Sequence, residues 1–177
     1  PYPSGPYGIT AGSVITNMSW IGYVDDAADA VATTKPYVAY TLDDARQSGK
    51  HYAMINLAEL DCPGCQKSAG ELQTGAAAVV DAGGVVIEVL ETAGFTKQAT
   101  QANLQAWINK YSLPITTVKD PDGTGTVTLN ALGGREQCYV VDLTTMKILQ
   151  VIKGDITGIG ATSGGLCMTQ MHTLLGK

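Results

Sequence analysis

Cys62-Pro63-Gly64-Cys65 places two sulfurs about one helical turn apart around a turn-forming dipeptide, and three kinds of chemistry use that spacing. Thiol-disulfide exchange needs a nucleophilic thiolate and a second thiol close enough to release the mixed intermediate. A zinc site needs the same pair plus two further ligands. A structural staple needs only two sulfurs that can meet. The other two cysteines, Cys138 and Cys167, are separated singletons, and His51 and His172 show no ligand spacing. Zinc is therefore the weakest of the three, and no metal or other cofactor is expected. Met168 and His172 share a helix face beside Cys167, a soft donor set of the kind copper takes. Methionines at helical spacing nevertheless read as core. Asp120-Pro121-Asp122-Gly123 opens like a calcium loop but lacks the later ligands, and reads as a surface turn.

The elements that must hold the cysteines are legible around them. Residues 52–57, YAMINL, are a short apolar run bounded by turns, a buried strand leading into Cys62. Cys65, Ala69, Leu72, Ala76 and Val79 then recur at spacings of four and three, one face of a helix that Gly83-Gly84 ends. Pro63 suits the first turn of that helix, where its missing N–H is not needed. Cys62 is thus expected at the helix start, exposed, with unpaired N–H groups to stabilise its thiolate. Cys65 begins the apolar face and is expected to be shielded.

Residues 85–90, VVIEVL, form a second strand without polar alternation, as expected when both faces are covered. Leu104, Trp107, Ile108 and Tyr111 mark another helix face, and a third strand runs over 115–118. The DPDGTG stretch reads as loop; YVVD and KILQVI make an antiparallel hairpin; Leu166, Met171, Leu174 and Leu175 mark a closing helix. The order is βαβα, then β, then ββα. In the first fifty residues, 9–15 read as a strand and Asp43-Asp44 as the start of a short helix, together an N-terminal extension packed on the sheet.

A chain of 177 residues with 45% hydrophobic content can bury its own core, and no linker or repeat splits it. A net charge of −5 with scattered basic residues argues against nucleic acid or an anionic membrane surface as partner. The most apolar stretch, 76–90, is broken by Asp81, Gly83, Gly84 and Glu88. It falls short of the ~20 apolar residues a membrane-spanning helix needs. An opening PYPSGPYG without Met and four cysteines point to an exported protein in the periplasm, the cell envelope or the medium.

From about Tyr40 onward the chain resembles the thioredoxin superfamily, specifically its exported thioredoxin-like and redoxin-type members. The resemblance rests on the CxxC between strand and helix, on Asn56 six residues before Cys62, and on the hairpin of Val140-Val141-Asp142 with Thr145-Met146-Lys147-Ile148. It implies an α/β thioredoxin-like fold in a single domain, with a mixed sheet flanked by helices, residues 1–50 as extension and 51–177 as core. It also implies thiol-disulfide exchange with protein or small-molecule partners, Cys62 as nucleophile and Cys65 as resolving thiol.

In that fold the fourth strand packs on the last helix, so a structural disulfide between Cys138 and Cys167 is implied; two buried thiols or a second redox pair are the alternatives. The surroundings of the CxxC depart from the family pattern. Asp61 replaces the usual aromatic, Ala58 and Glu59 replace Trp-Ala, and Glu136, preceded by Arg135, stands where a cis-proline normally faces the cysteines. Asp61 and its acidic neighbours are expected to oppose the Cys62 thiolate. Arg135 invites a peroxiredoxin-like reading, in which an arginine activates the peroxidatic cysteine. Those enzymes carry a threonine three residues before that cysteine, where this chain has Glu59. The rival to the exchange reading is a non-catalytic thioredoxin-like binding or structural module with a structural CxxC.

Overall fold

The two unalternating apolar runs become the middle of a seven-stranded sheet. In the computed structural model, which describes residues 1–94 and 96–177, the strands are β1 (Ser19–Tyr23), β2 (Tyr37–Thr41), β3 (Tyr52–Glu59), β4 (Gly84–Thr92), β5 (Thr116–Lys119), β6 (Gln137–Asp142) and β7 (Lys147–Lys153). The helices are α1 (Leu42–Gln47), α2 (Pro63–Asp81), α3 (Gln101–Tyr111), α4 (Val127–Leu132) and α5 (Ser163–Leu174). The spatial strand order is β2-β1-β5-β4-β3-β6-β7. β3, β4 and β5 run parallel; β6 pairs antiparallel with β3, β7 antiparallel with β6, and β1 antiparallel with β5. The crossover helices α2 and α3, with α5, cover one face of the parallel centre, and α1, α4 and the 14–18 segment cover the other, so every residue of β4 is buried and the strand shows no polar alternation.

The side chains of the central strands divide between two cores. Met54, Ala58, Val86, Leu90, Cys138 and Val140 pack with the apolar faces of α2, α3 and α5. Ala53, Ile55, Leu57, Val85, Ile87, Tyr139 and Val141 pack on the opposite face with Trp20, Leu42, Leu132 and the 14–18 segment. Among the described residues, no helix is long and apolar enough to cross a membrane.

Two readings of the sequence change, and one helix, α4, is added to them. Residues 9–15 are not a strand: Thr10, Gly12 and Ser13 make a turn, and only single bridges join Tyr7 to Val14 and Val14 to Lys147. The first fifty residues do more than lie on the sheet, because β1 pairs with β5 and β2 with β1, extending it. The DPDGTG loop leads into α4, whose first turn is held by the buried Asp120 carboxylate accepting from the Thr128 amide at 2.9 Å and hydroxyl at 2.5 Å. The same hydroxyl accepts from the Trp20 indole at 2.7 Å, fastening β1 to α4. Asp43-Asp44 does open a helix, α1, capped by Thr41 and Asp44 in a reciprocal capping box.

A disulfide joins Cys138 on β6 to Cys167 on α5, closing a span of 29 residues. Removing it in Cys138→Ala/Cys167→Ala should lower unfolding free energy in urea by ~2–4 kcal/mol without loss of the fold. Superimposable denaturation curves would contradict a stabilising role.

Candidate functional site

β3 ends at Glu59, and a two-residue turn, Leu60-Asp61, brings Cys62 to the N-cap of α2 with Pro63 at the first helical position. The Cys62 sulfur accepts a hydrogen bond from the Cys65 amide at 3.1 Å, as the side-chain oxygen of an ordinary N-cap residue would. Cys62 and Cys65 are joined in a disulfide. Cys65 is fully buried against the core, and Cys62 is only 3% exposed. The expectation of an exposed Cys62 is therefore corrected, and the reason lies in a distant loop.

Residues 154–161, between β7 and α5, fold over the first turn of α2. The Gly64 amide donates to the Ile156 carbonyl at 2.9 Å, and a Cβ on Gly64 would collide with the Asp155 carbonyl oxygen. The loop is braced internally: Asp155 accepts from the Thr157 hydroxyl at 2.7 Å and from the Gly160 amide at 2.8 Å. Those bonds, the Thr157 hydroxyl first, hold its carboxyl below the ordinary range.

The second covering group is Glu136. Its amide donates to the Leu57 carbonyl at 3.0 Å and its carbonyl accepts from the Gly154 amide at 2.9 Å. Its φ of 54° lies in the left-handed region, uncommon for a side chain of this size. Among the described residues, the cis peptide bond lies elsewhere, at Gly5–Pro6. A carboxylate oxygen of Glu136 and the two sulfurs lie within 4.8 Å of one another, all three residues buried. Oε1 accepts from the Ser163 amide at 2.8 Å, whereas buried Oε2 has no hydrogen-bond partner. Burial pushes this carboxyl up, and the Ser163 N–H partly offsets it.

Beneath the cysteines runs a buried polar chain. Ser163 Oγ donates to Asn56 Oδ1 at 2.7 Å, and Asn56 Nδ2 donates to Glu88 Oε2 at 2.7 Å and to Ser68 Oγ at 3.3 Å. The Trp107 indole donates to Glu88 Oε1 at 3.3 Å. Burial raises Glu88 to about 8 against those two donors. Farther along β4, Glu91 is raised to about 9, mainly by burial and then by the charges of Asp120 and Glu59.

Of the residues singled out from sequence, the structure gathers Cys62, Cys65, Pro63, Gly64 and Glu136 into one site. Arg135 and Glu59 form an ion pair. Asp61 is exposed beside Gly94, so the acid set against the sulfurs is Glu136. Met168 packs near Gly75 in the core, and Asp122 pairs with Lys119 at 2.6 Å. Sequence reasoning missed Glu88, Ser68 and Ser163. A lone acid inside the apolar run VVIEVL was the available signal for Glu88.

Residues 24–148 match the AhpC/TSA family. No curated protein matches the sequence. A putative thiol:disulfide interchange protein DsbE from Chlorobium tepidum superposes with a TM-score of 0.62 at 16% identity, over 97% of this chain and 99% of that one. The thioredoxin domain of a thiol-disulfide oxidoreductase from Bacteroides vulgatus gives 0.61 at 16%, over 85% and 94%. A secreted Mycobacterium tuberculosis disulfide oxidoreductase homologous to Escherichia coli DsbE gives 0.56 at 16%, over 81% and 92%. The fold is thioredoxin-like.

Two outcomes check this site. Gly64→Ala should displace the 154–161 loop and cost roughly 1–3 kcal/mol; an unchanged Tm would mean that the loop does not rest on α2. Glu88 keeps its proton in the folded state up to about 8, while the unfolded chain releases it near the ordinary 4.5. The folded state thus holds the extra proton between those limits, and stability falls as pH rises through them. The wild-type Tm should drop by roughly 5–10 °C from about pH 5 to about pH 8, and Glu88→Gln by clearly less. Equal drops would contradict a buried, protonated Glu88.

Proposed function

Because the chain belongs to the AhpC/TSA family, we propose that its CxxC pair performs thiol-disulfide exchange in an oxidising compartment, the periplasm, cell envelope or medium, with Cys62 as nucleophile and Cys65 as resolving thiol. The observation that carries this reading is the Cys65 amide pointing at the Cys62 sulfur from the first turn of a 19-residue helix. A donor and a helix N-terminus so placed favour a thiolate over a thiol. In the reducing direction, the Cys62 thiolate attacks a partner disulfide and expels one partner thiolate. The Cys65 thiolate then attacks Cys62 and releases the second, so that two electrons pass to the partner and the Cys62–Cys65 disulfide forms. Oxidation of a partner dithiol runs the same steps backwards. Glu136, beside both sulfurs with its carboxyl raised, is the group placed to take the Cys65 proton.

Exchange partners are protein or small-molecule thiols and disulfides. The oxidising compartment is supported by the second disulfide and by the secreted M. tuberculosis neighbour. A peroxidase reading draws no support from Arg135, whose guanidinium pairs with Glu59.

The 3% exposure of Cys62 favours a second reading, a non-catalytic module in which the CxxC is a staple under the 154–161 loop. The two separate cleanly. Under the exchange reading, Cys65→Ser accumulates a mixed disulfide with a model disulfide, Cys62→Ser does not, and the wild type reduces insulin in the presence of a dithiol. Under the staple reading neither variant traps a partner, both lose stability, and insulin is untouched.

A further inference from the structure

The residue at the family's proline position does more than fill space, because it brings a third metal-binding donor to two cysteines. Cys62 Sγ, Cys65 Sγ and a Glu136 carboxylate oxygen lie within 4.8 Å of one another, and each of the three residues is at most 3% exposed. Glu136 Oε2 is buried without a hydrogen-bond partner, a costly arrangement for a carboxyl group in the oxidised protein. Glu136 is also held in place by its backbone, between the Leu57 carbonyl and the Gly154 amide, and by the Ser163 amide on Oε1. The carboxyl is therefore a positioned donor.

We propose that the reduced protein holds a borderline-soft divalent cation of the zinc type between Cys62, Cys65 and Glu136, and that disulfide formation abolishes the site. A dithiol opens the disulfide by giving two electrons and two protons and closing its own disulfide; a phosphine gives the two electrons, and water gives the two protons and leaves its oxygen on the phosphine oxide. Binding then releases the two thiol protons and any carboxyl proton to solvent, as metal capture by thiols requires. Two donors on one tetrahedral zinc ion stand roughly 3.6–3.8 Å apart, given Zn–S near 2.3 Å and Zn–O near 2.1 Å. The oxygen has at most about an ångström to close, within the reach of a Glu side-chain rotation, while the sulfurs separate on reduction. Two thiolates and a carboxylate with a dication leave one net negative charge. It faces the N-termini of α2 and α5, whose amides at Cys65 and Ser163 already point into the site. Three protein donors leave a fourth position for water or a ligand, the arrangement of open rather than structural zinc sites. The 154–161 loop shields the site from solvent competition. The metal state and the exchange state thus compete for the same sulfurs, so a cation bound to the dithiol protects it from oxidation.

The test is a cobalt titration of the phosphine-reduced protein after anaerobic desalting, followed by zinc displacement. One equivalent of Co²⁺ should give thiolate-to-cobalt charge-transfer absorbance with tetrahedral visible bands, zinc should erase both, and the oxidised protein should give neither. Glu136→Gln, with folding checked by circular dichroism, should weaken binding by roughly tenfold or more. Zinc X-ray absorption on the reduced wild type reads the donor set without any variant: two sulfurs with one or more light donors is the expected result. Absence of the cobalt bands, unchanged affinity in Glu136→Gln, or a shell of four sulfurs would each overturn the proposal. Neither readout depends on turnover, so failure of the exchange reading in the insulin assay leaves this test intact.

Discussion

Everything around the cysteines depends on how Glu136 is pinned at the entrance to β6. Its backbone bridges the end of β3, through the Leu57 carbonyl, and the start of the covering loop, through the Gly154 amide. Its side chain reaches the first turn of α5 at Ser163. One residue in a left-handed conformation therefore fixes the strand that delivers Cys62, the loop that covers it and the helix packed behind it. The disulfide from Cys138 to Cys167 fastens the same strand to the same helix. A carboxyl against the sulfurs follows from this arrangement, as does the shielding of Cys62.

That shielding sets the electrostatics. Carboxyl groups at 88, 91 and 136 are buried; at Glu88 and Glu136 the loss of water outweighs the donors that remain, and at Glu91 the charges of Asp120 and Glu59 add to it. Glu88 and Glu136 belong to one chain of contacts through Asn56 and Ser163, running from the Trp107 indole to the cysteines. A neutral acid tolerates such surroundings better than an ionised one, so near neutral pH the folded state holds the Glu88 and Glu91 protons that the unfolded chain has already released near 4.5. A thiolate generated beside Glu136 meets either a proton donor or a like charge, and which of the two depends on pH.

The framework of this fold was legible because the central strands and α2 carry strong, unambiguous periods. YAMINL, VVIEVL and the Cys65-to-Val79 stripe each match one template of burial, and the helix start was marked by Cys62 and Pro63. The N-terminal strands were not legible, because β2 is an edge strand whose sequence YVAYT is half exposed and shows no clean alternation. Nor was α4, a six-residue helix held by the distant Asp120 carboxylate rather than by its own pattern. At the site, spacing located the cysteines, and the resemblance to the thioredoxin superfamily placed Glu136 opposite them, at the position of the family's proline. The cover could not be read: contact between Gly64 and Ile156 joins residues far apart in sequence, and nothing local marks a loop that will fold back over a helix start.

Whether the covered Cys62–Cys65 disulfide is a working redox pair is written in its chemistry. The most direct measurement is its reduction potential, taken by equilibrating the protein in graded thiol-disulfide buffers and counting alkylated Cys62 and Cys65 by mass. A working pair should titrate at a potential above about −300 mV, within reach of the thiol pools it would exchange with. A disulfide that stays closed below that potential would contradict the account and make the CxxC a structural bond.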